Sequence, residues 1–235
     1  MAYIITEMEN ENENENENNT ITKQVTQEFY RDYISNQTFK SKFKERYLYI
    51  KRNMYSKLEY KLKLPVEEII KKYFVEIFSQ TVIPYDILLI IADYLKTMDI
   101  KYVIDPYCGN AFHTFLFNEF TGFITTSIDN QKEPNSWLEV IEQDGVEYIE
   151  NMNELEHQRG ALILSYIKDD KLASKLLNSY EGRIIISIGN YDNLCPNYLS
   201  GLNRDYNLQK RIILKMPWGL EEKIEIYLKK VYKKN

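Results

Sequence analysis

Residues 103–114 read Val-Ile-Asp-Pro-Tyr-Cys-Gly-Asn-Ala-Phe-His-Thr, and this stretch decides the predicted fold. It joins a short β-rich segment, Tyr102–Ile104, to a helical segment, Ala111–Phe120, through a turn that contains Gly109. A glycine lets the backbone approach a ligand closely because it has no Cβ atom. The first N–H groups of the following helix are unpaired and lie at the positive end of its dipole. The stretch therefore predicts the first strand–turn–helix unit of an α/β domain.

Two acidic residues end the first two predicted strands. Asp105 follows Tyr102–Ile104, and Asp129 follows the second strand, Phe123–Ile128. In open α/β sheets, ligands bind at the carboxyl ends of the strands, and an acid about 20 residues beyond the first turn pairs with ribose hydroxyls. The spacing therefore predicts a nucleoside-containing cofactor. A tight turn at Gly109 and a helix cap at Asp129 are the alternative interpretations.

The segments that follow alternate between strand-like and helix-like patterns, as in βαβ units of a mainly parallel sheet. The predicted strands are Val146–Ile149, Ala161–Ile167 and Arg183–Ile188, and the predicted helices are Pro134–Glu142 and Leu172–Leu177. Two last strands, Arg211–Lys215 and Lys223–Val231, are separated only by Met216–Glu222, which is too short for a helical crossover. We expect these two strands to be antiparallel or nearly so.

The N-terminal part of the chain has a different composition. Glu9–Asn19 alternates Glu and Asn without an apolar residue, so residues 1–20 are predicted to form a disordered, low-complexity tail. Residues 21–100 are predicted to be a helical extension, with amphipathic helices at Glu67–Gln80 and Pro84–Met98. Residues 101–235 then form the α/β domain.

The motifs of that domain resemble those of class I methyltransferases, which use S-adenosylmethionine (SAM). Asp105-Pro106-x-x-Gly109-x-Ala111 looks like the first motif of that family, and Asp129 looks like its second-motif acid. The segment 161–166 looks like its fourth strand, and the segment 182–189 like its fifth. The resemblance covers residues 100–235. It implies a Rossmann-like, mostly parallel sheet with an antiparallel strand near the C-terminus.

The resemblance also implies a set of cofactor-binding residues. The methionine end of SAM would be held by the segment from Asp105 to Ala111, and the ribose by Asp129. The adenine would lie near Glu150 or Asn151, after the predicted third strand. The implied cofactor residues are Asp105, Pro106, Tyr107, Gly109, Ala111, Asp129, Glu150 and Asn151.

Three residues are candidates for catalysis. Ser165 and Tyr166 come at the end of the predicted fourth strand, and His113 comes near the start of the first helix. Packing roles for Tyr166 and His113 are the alternatives. The segment Ser165–Lys168 lacks the Asn/Asp-Pro-Pro-aromatic motif of many methyltransferases that act on amino groups. No metal site is predicted because the chain has two histidines and no CxxC pair.

Charge is unevenly distributed along the chain, which has a formal net charge of −5. Residues 40–63 hold nine Lys/Arg and two Asp/Glu, and aromatic residues lie between them. Such a pattern suits RNA or single-stranded DNA, through phosphate contacts and base stacking. The alternative is a helix whose aromatic side chains pack in a core. Lys40–Lys63 is therefore a candidate nucleic-acid contact.

The sequence leaves two functions open. One is a SAM-dependent methyltransferase of unknown acceptor, with nucleic acid favoured as the acceptor. The other is an inactive binding module or partner subunit with the same fold, which binds RNA. A nicotinamide-dependent oxidoreductase is disfavoured because no G-x-G-x-x-G motif is present. The bias towards Asn, Lys, Ile and Tyr is similar to that of large DNA viruses.

The sequence also carries an expectation about location. No apolar run approaches the ~18 residues of a membrane span, and the N-terminus lacks the features of a signal peptide. The two cysteines do not form a disulfide framework. We therefore predict a cytoplasmic protein without a membrane partner, in the host cytoplasm if it is viral.

Overall fold

The computed structural model describes residues 75, 78–81, 83–133, 136–190, 195–215 and 221–230. The chain divides into two compact units, Met1–Asp86 with Lys215–Leu220, and Ile87–Leu214 with Glu221–Asn235. The second unit holds the sheet. The tail 1–20 and the basic segment Lys40–Lys63 lie outside the described residues. The predicted domain boundaries therefore stay predictions.

Helix α1 spans Tyr85–Thr97 and confirms the helix predicted at Pro84–Met98. Its buried residues, Leu88, Ile91, Ala92 and Leu95, recur with helical spacing. Most of the other predicted helix, Glu67–Gln80, lies outside the described residues. Val75 is helical, but Phe78–Gln80 is not, so that helix does not extend to Gln80.

The first strand–turn–helix unit forms as predicted. Strand β1 spans Tyr102–Asp105, helix α2 spans Phe112–Thr121, and strand β2 spans Ile124–Asp129. Gly122 ends α2 at φ 75°, in the left-handed region where a glycine avoids a steric penalty. The two predicted acids, Asp105 and Asp129, are therefore the last residues of adjacent strands.

The next segment corrects two predictions. The predicted helix Pro134–Glu142 is wrong, since residues 136–140 are irregular and strand β3 occupies Ile141–Glu142. Trp137 explains the difference, because its backbone N–H donates to the Asn110 carbonyl at 2.8 Å and its ring packs on Phe112 and Phe115. These tertiary contacts fix the segment in an irregular conformation.

The predicted strand Val146–Ile149 is also wrong, because helix α3 spans Gly145–Glu150. The Asp144 carboxylate caps this helix by accepting hydrogen bonds from the N–H groups of Val146 and Glu147, both at 3.0 Å. Val146 and Ile149 are buried and three residues apart, which is a helical spacing rather than the alternation of a strand.

The central elements follow the predicted alternation. Helix α4 (Glu154–Arg159), which was not predicted, leads into strand β4 (Gly160–Ser165). Helix α5 spans Asp170–Ser179, and strand β5 spans Ile184–Gly189. Almost every residue of β4 and β5 is buried, in agreement with their continuous apolar sequences.

The C-terminal elements are helix α6 (Pro196–Asp205), strand β6 (Tyr206–Lys215) and strand β7 (Glu221–Lys229). The sequence analysis did not predict α6. Its buried side chains, Tyr198 and Leu202, again have helical spacing, and Pro196 occupies the first turn, where a proline is well tolerated.

In the described part of the chain, seven strands form one sheet in the order β3-β2-β1-β4-β5-β7-β6. Neighbouring strands from β3 to β5 are parallel, whereas β7 is antiparallel to β5. The predicted Rossmann-like sheet, mostly parallel with an antiparallel strand near the C-terminus, is confirmed. The carboxyl ends of β1, β2, β4 and β5 consequently meet at one edge, where ligands of open α/β sheets bind.

One face of this sheet packs against α3, α5 and α6 in a continuous apolar cluster. Tyr180 lies in that cluster, and its hydroxyl is 3.0 Å from the Gly160 carbonyl and 3.1 Å from the Ile184 carbonyl. This cluster fixes the central strands and so fixes the edge at which their carboxyl ends meet. Among the described residues, no helix is both long and apolar enough to cross a membrane.

Candidate cofactor site

Asp105 lies at the carboxyl end of β1 and is only 2% exposed. Its Oδ1 accepts a weak hydrogen bond from the Tyr107 N–H at 3.3 Å. Burial raises the pKa of this carboxyl group to about 7, and the charge of Asp129 contributes in the same direction. Asp105 is therefore a buried acid that is close to half-ionised at neutral pH.

The turn after Asp105 contains two residues with left-handed backbone. Gly109 has a φ of 53°, and Ala111 has a φ of 59°. The Ala111 N–H donates to the Cys108 carbonyl at 2.9 Å, and the Cys108 N–H donates to the Ile128 carbonyl on β2 at 3.0 Å. The turn is thus hydrogen-bonded internally and to the neighbouring strand.

Asp129 completes this arrangement from the end of β2. Its Oδ2 accepts a hydrogen bond from the Gly109 N–H at 2.9 Å, and its Oδ1 accepts one from the Gln131 N–H at 3.2 Å. The side chain is partly exposed. The structure therefore brings Asp129 to the turn that contains Asp105 and Gly109, which lie 24 and 20 residues earlier in the chain.

Pro106 and Tyr107 lie directly against the start of helix α3. A Cβ atom on Gly145 would be 2.1 Å from the Pro106 carbonyl oxygen and 2.8 Å from both Pro106 Cβ and Tyr107 Cε2. The Tyr107 hydroxyl is 3.3 Å from Asp144 Oδ2. The segment after β1 and the start of α3 are therefore in contact, and the glycine at position 145 permits that contact.

The placement of Glu150 and Asn151 after the third strand is wrong. Both residues are at the carboxyl end of helix α3, where Glu150 Oε1 accepts from the Ser179 hydroxyl and Asn151 Nδ2 donates to the Glu147 carbonyl. The residues that follow the observed β3 are Gln143 and Asp144. Sequence reasoning missed Asp144, although an Asp before Gly145 at the start of an i, i+3 apolar pattern is a helix-cap signal.

The three candidate catalytic residues lie in different environments. Ser165 ends β4, and Tyr166 follows it with a φ of 55°, which is uncommon for a bulky residue. The Tyr166 N–H donates to the Ile188 carbonyl at 2.9 Å, which continues the pairing of β4 with β5. His113 is 5% exposed, in the first turn of α2. Ser165 and Tyr166 thus lie at the carboxyl edge of the sheet, whereas His113 lies within buried packing.

Cys108 lies in the turn but has the wrong environment for a reactive thiol. Burial raises its pKa well above the ordinary value, and the nearby charges of Asp105 and Asp129 raise it further. A thiol in this state remains protonated at neutral pH and is a poor nucleophile.

The segment that carries the turn is acidic in sequence. Residues 102–150 contain one lysine, Lys132, and nine acidic residues: Asp105, Glu119, Asp129, Glu133, Glu139, Glu142, Asp144, Glu147 and Glu150. A potential of this sign attracts cations and repels phosphate groups. The described residues contain no group of three or more His, Cys, Asp or Glu arranged to hold a metal ion.

Two clefts lie near these elements. A groove of about 540 Å³ between α3 and α5 begins at Asp144 and is lined by Glu147, Asp169 and Lys175 among others. A larger cleft of about 690 Å³ is lined by His157 and Arg183 among others. These two residues come just before β4 and β5, so this cleft lies at the amino ends of the strands, opposite to the edge that carries Asp105 and Asp129. Neither of these two clefts is lined by residues 105–111.

Comparison with known families and with curated proteins gives no match. Among the similar solved structures, Thermoplasma acidophilum 1320 is 16% identical with a TM-score of 0.44, over 62% of this chain and 84% of that chain. A Listeria monocytogenes protein described as a putative class I SAM-dependent methyltransferase is 12% identical with a TM-score of 0.43, over 92% of this chain and 88% of that chain. Burkholderia thailandensis 1,6-didemethyltoxoflavin-N1-methyltransferase with S-adenosylhomocysteine is 12% identical with a TM-score of 0.43, over 60% of this chain and 77% of that chain. The assignment of function therefore rests on the site.

Proposed function

We propose that this protein is a SAM-dependent methyltransferase. The observation that carries the proposal is the pair of carboxylates around the Gly109 turn, with Asp105 buried at the end of β1 and Asp129 Oδ2 2.9 Å from the Gly109 N–H. SAM carries a sulfonium and an ammonium group and is a net cation, which suits two acids in an acidic surrounding. A dinucleotide cofactor would bring a negatively charged pyrophosphate to the same turn.

The donor set fits the three parts of SAM. Asp105 would pair with the ammonium group of the methionine end, and the partly exposed Asp129 would accept hydrogen bonds from the ribose hydroxyls. Asp144, at the end of β3, takes the place that the sequence analysis gave to Glu150 and Asn151 beside the adenine. The bound cofactor would supply an electrophilic methyl group for an acceptor at the ends of β4 and β5.

The acceptor would then approach the edge that holds Ser165 and Tyr166. A residue held in a sparsely populated backbone conformation often marks a functional site, and Tyr166 is such a residue. For the acceptor itself we propose nucleic acid, with Lys40–Lys63 as the contact; only the composition of that segment supports this choice. Methylation of RNA, single-stranded DNA and total protein with labelled SAM would distinguish these acceptor classes.

Isothermal titration of the full chain with SAM and with S-adenosylhomocysteine tests the cofactor. Micromolar binding, about −8 kcal/mol, is the expected result. Because Asp105 must be ionised to pair with a cation, SAM affinity is expected to rise between pH 6 and 8. A folded protein that does not bind either ligand at millimolar concentration would contradict the proposal and would favour the inactive binding module.

The proposed adenine contact at Asp144 can be tested separately. Asp144→Ala is expected to weaken SAM binding several-fold, whereas Glu150→Ala and Asn151→Ala are expected to leave it unchanged. Because Asp144 also caps α3, the matched control is Asn153→Ala, which removes a similar cap from α4. Each cap is worth about 1 kcal/mol of stability. Equal loss of SAM affinity in the Asp144 and Asn153 variants would show that the cap alone is responsible.

A further inference from the structure

The backbone of Ala111, which is left-handed, makes three hydrogen bonds, one of them with the Thr114 hydroxyl. Ala111 is fully buried, with φ 59° and ψ 26°, a region that is unfavourable for any residue with a Cβ atom. Its N–H donates to the Cys108 carbonyl, and its carbonyl accepts from the Phe115 N–H at 3.0 Å and from the Thr114 hydroxyl at 3.1 Å. Such a conformation persists only where the surroundings determine it.

The Thr114 hydroxyl is also hydrogen-bonded to β2. Thr114 Oγ1 lies 2.6 Å from Ser127 Oγ, and both residues are buried, at 0% and 4% exposure. A hydroxyl group has one hydrogen to donate. Either hydroxyl can donate in the Thr114–Ser127 hydrogen bond; when Thr114 donates to the Ala111 carbonyl, Ser127 donates to Thr114. The two hydroxyls thus connect β2 through α2 to the turn.

This chain ends beside the proposed cofactor residues. Ser127 is paired with Asp105 across the parallel strands β1 and β2 and comes two residues before Asp129. Asp129 in turn accepts the Gly109 N–H. Strand β2 is therefore linked to the same turn at two points, to Gly109 through Asp129 and to Ala111 through the hydroxyl pair.

We infer that Thr114 and Ser127 are positioning residues for the cofactor turn. They hold Ala111 in its left-handed conformation and thereby set the affinity of the turn for SAM, without touching the ligand. This inference rests on the proposed function. A glycine adopts the left-handed conformation without strain. In an Ala111→Gly variant the Thr114 hydroxyl should therefore no longer be needed to hold the turn.

The test is a double-mutant cycle on the full chain, read by isothermal titration with SAM and by thermal unfolding. Thr114→Val is expected to weaken SAM binding about tenfold, a typical size for coupled neighbours. In an Ala111→Gly background the same substitution is expected to change SAM affinity less than about twofold. Thr114→Ser keeps the hydroxyl and should bind SAM like the unaltered chain. Circular dichroism verifies that each variant is folded.

The matched control is Thr121→Val at the other end of α2. Thr121, like Thr114, is a buried threonine whose hydroxyl donates to a backbone carbonyl of the preceding turn. Its acceptor is the Phe117 carbonyl, and it lies at the end of α2 that is away from the cofactor turn. Its replacement is expected to lower the melting temperature and to leave SAM affinity unchanged. A loss of affinity as large as that of Thr114→Val would overturn the inference.

Ala111→Gly by itself is expected to raise the melting temperature by roughly 2–4 °C, because it removes the Cβ from a left-handed position. The SAM affinity of this variant is measured in its own right and is the reference value for the Ala111→Gly, Thr114→Val double variant. If Thr114→Val changes the SAM affinity and the melting temperature by the same amounts whether residue 111 is alanine or glycine, the inference is overturned. If the unaltered chain does not bind SAM, the proposed function fails together with the ligand part of this inference. Coupling in the melting temperature then decides whether Thr114 holds the turn.

Discussion

Asp105→Asn is expected to reduce SAM binding by about 100-fold and, at the same time, to stabilise the unliganded protein above pH 7. Asparagine has nearly the same shape as aspartate and can still accept the Tyr107 N–H, but it cannot pair with a cation. The loss of affinity follows from the missing charge in a buried site. Titration calorimetry measures the binding, and chemical denaturation measures the stability.

The direction of the stability change follows from the raised pKa of Asp105, about 7 in the folded protein against an ordinary value of 3.8. Between these pH values the folded state holds a proton that the unfolded state has released, so stability falls as pH rises through this window. The penalty reaches its full size, about 4 kcal/mol, above pH 7, since each unit of pKa corresponds to ~1.4 kcal/mol. Asparagine removes this penalty.

The control for this prediction is Asp169→Asn, at an exposed helix cap. The hydrogen bond from the Leu172 N–H lowers the pKa of Asp169, so this group contributes stability above its unfolded pKa and loses it as pH falls. Its replacement should lower stability slightly at neutral pH and leave SAM affinity unchanged. If Asp105→Asn were no more stable than the unaltered chain at pH 8, Asp105 would not be the buried, costly acid described above.

Gly145→Ala is expected to destabilise the protein by about 3 kcal/mol or more and to weaken SAM binding. The added Cβ would lie 2.1 Å from the Pro106 carbonyl oxygen, a contact that backbone atoms cannot avoid by a change of rotamer. Either α3 or the segment after β1 must move, and the second movement displaces Asp105 and the turn. Denaturant unfolding measures the first effect, and titration with SAM measures the second.

Gly122→Ala is the matched control, because no atom lies within 4 Å of the added Cβ. Gly122 has a φ of 75°, so alanine there suffers only the backbone penalty of about 1–2 kcal/mol. Its SAM affinity should be unchanged. If the two variants are equally stable, the contact between α3 and the first turn is looser than the structure indicates.

Several elements could be predicted because their signals are local. The segment 102–121 contains a β-rich run, a turn glycine and a helical pattern in immediate succession, and the structure confirms each element within about a residue or two. The continuous apolar runs of β4 and β5 were recognisable for the same reason. A strand buried on both faces needs no alternation and has a continuous apolar sequence.

Two segments between residues 136 and 151 were mispredicted for different reasons. Trp137 is held by the Asn110 carbonyl and by the rings of α2, which are distant in the sequence, whereas the Asp144 cap of Val146–Ile149 is a local signal that was missed. Both short segments are compatible with either secondary structure when taken alone. Because the third strand was placed at Val146–Ile149, Glu150 and Asn151 were expected directly after it, where the structure has Gln143 and Asp144 after β3.

The sequence by itself determined the α/β class, the antiparallel C-terminal strands and the pair Asp105 and Asp129, since period, loop length and strand-end acids are properties of contiguous residues. Only the tertiary structure decided three contacts of the site. Asp129 accepts the Gly109 N–H, and Gly145 lies against Pro106. Thr114 and Ser127 are hydrogen-bonded to each other beside Ala111. These contacts join residues on different strands and helices. The side chains that form them carry no local signal, because their roles depend on which elements the sheet order makes neighbours.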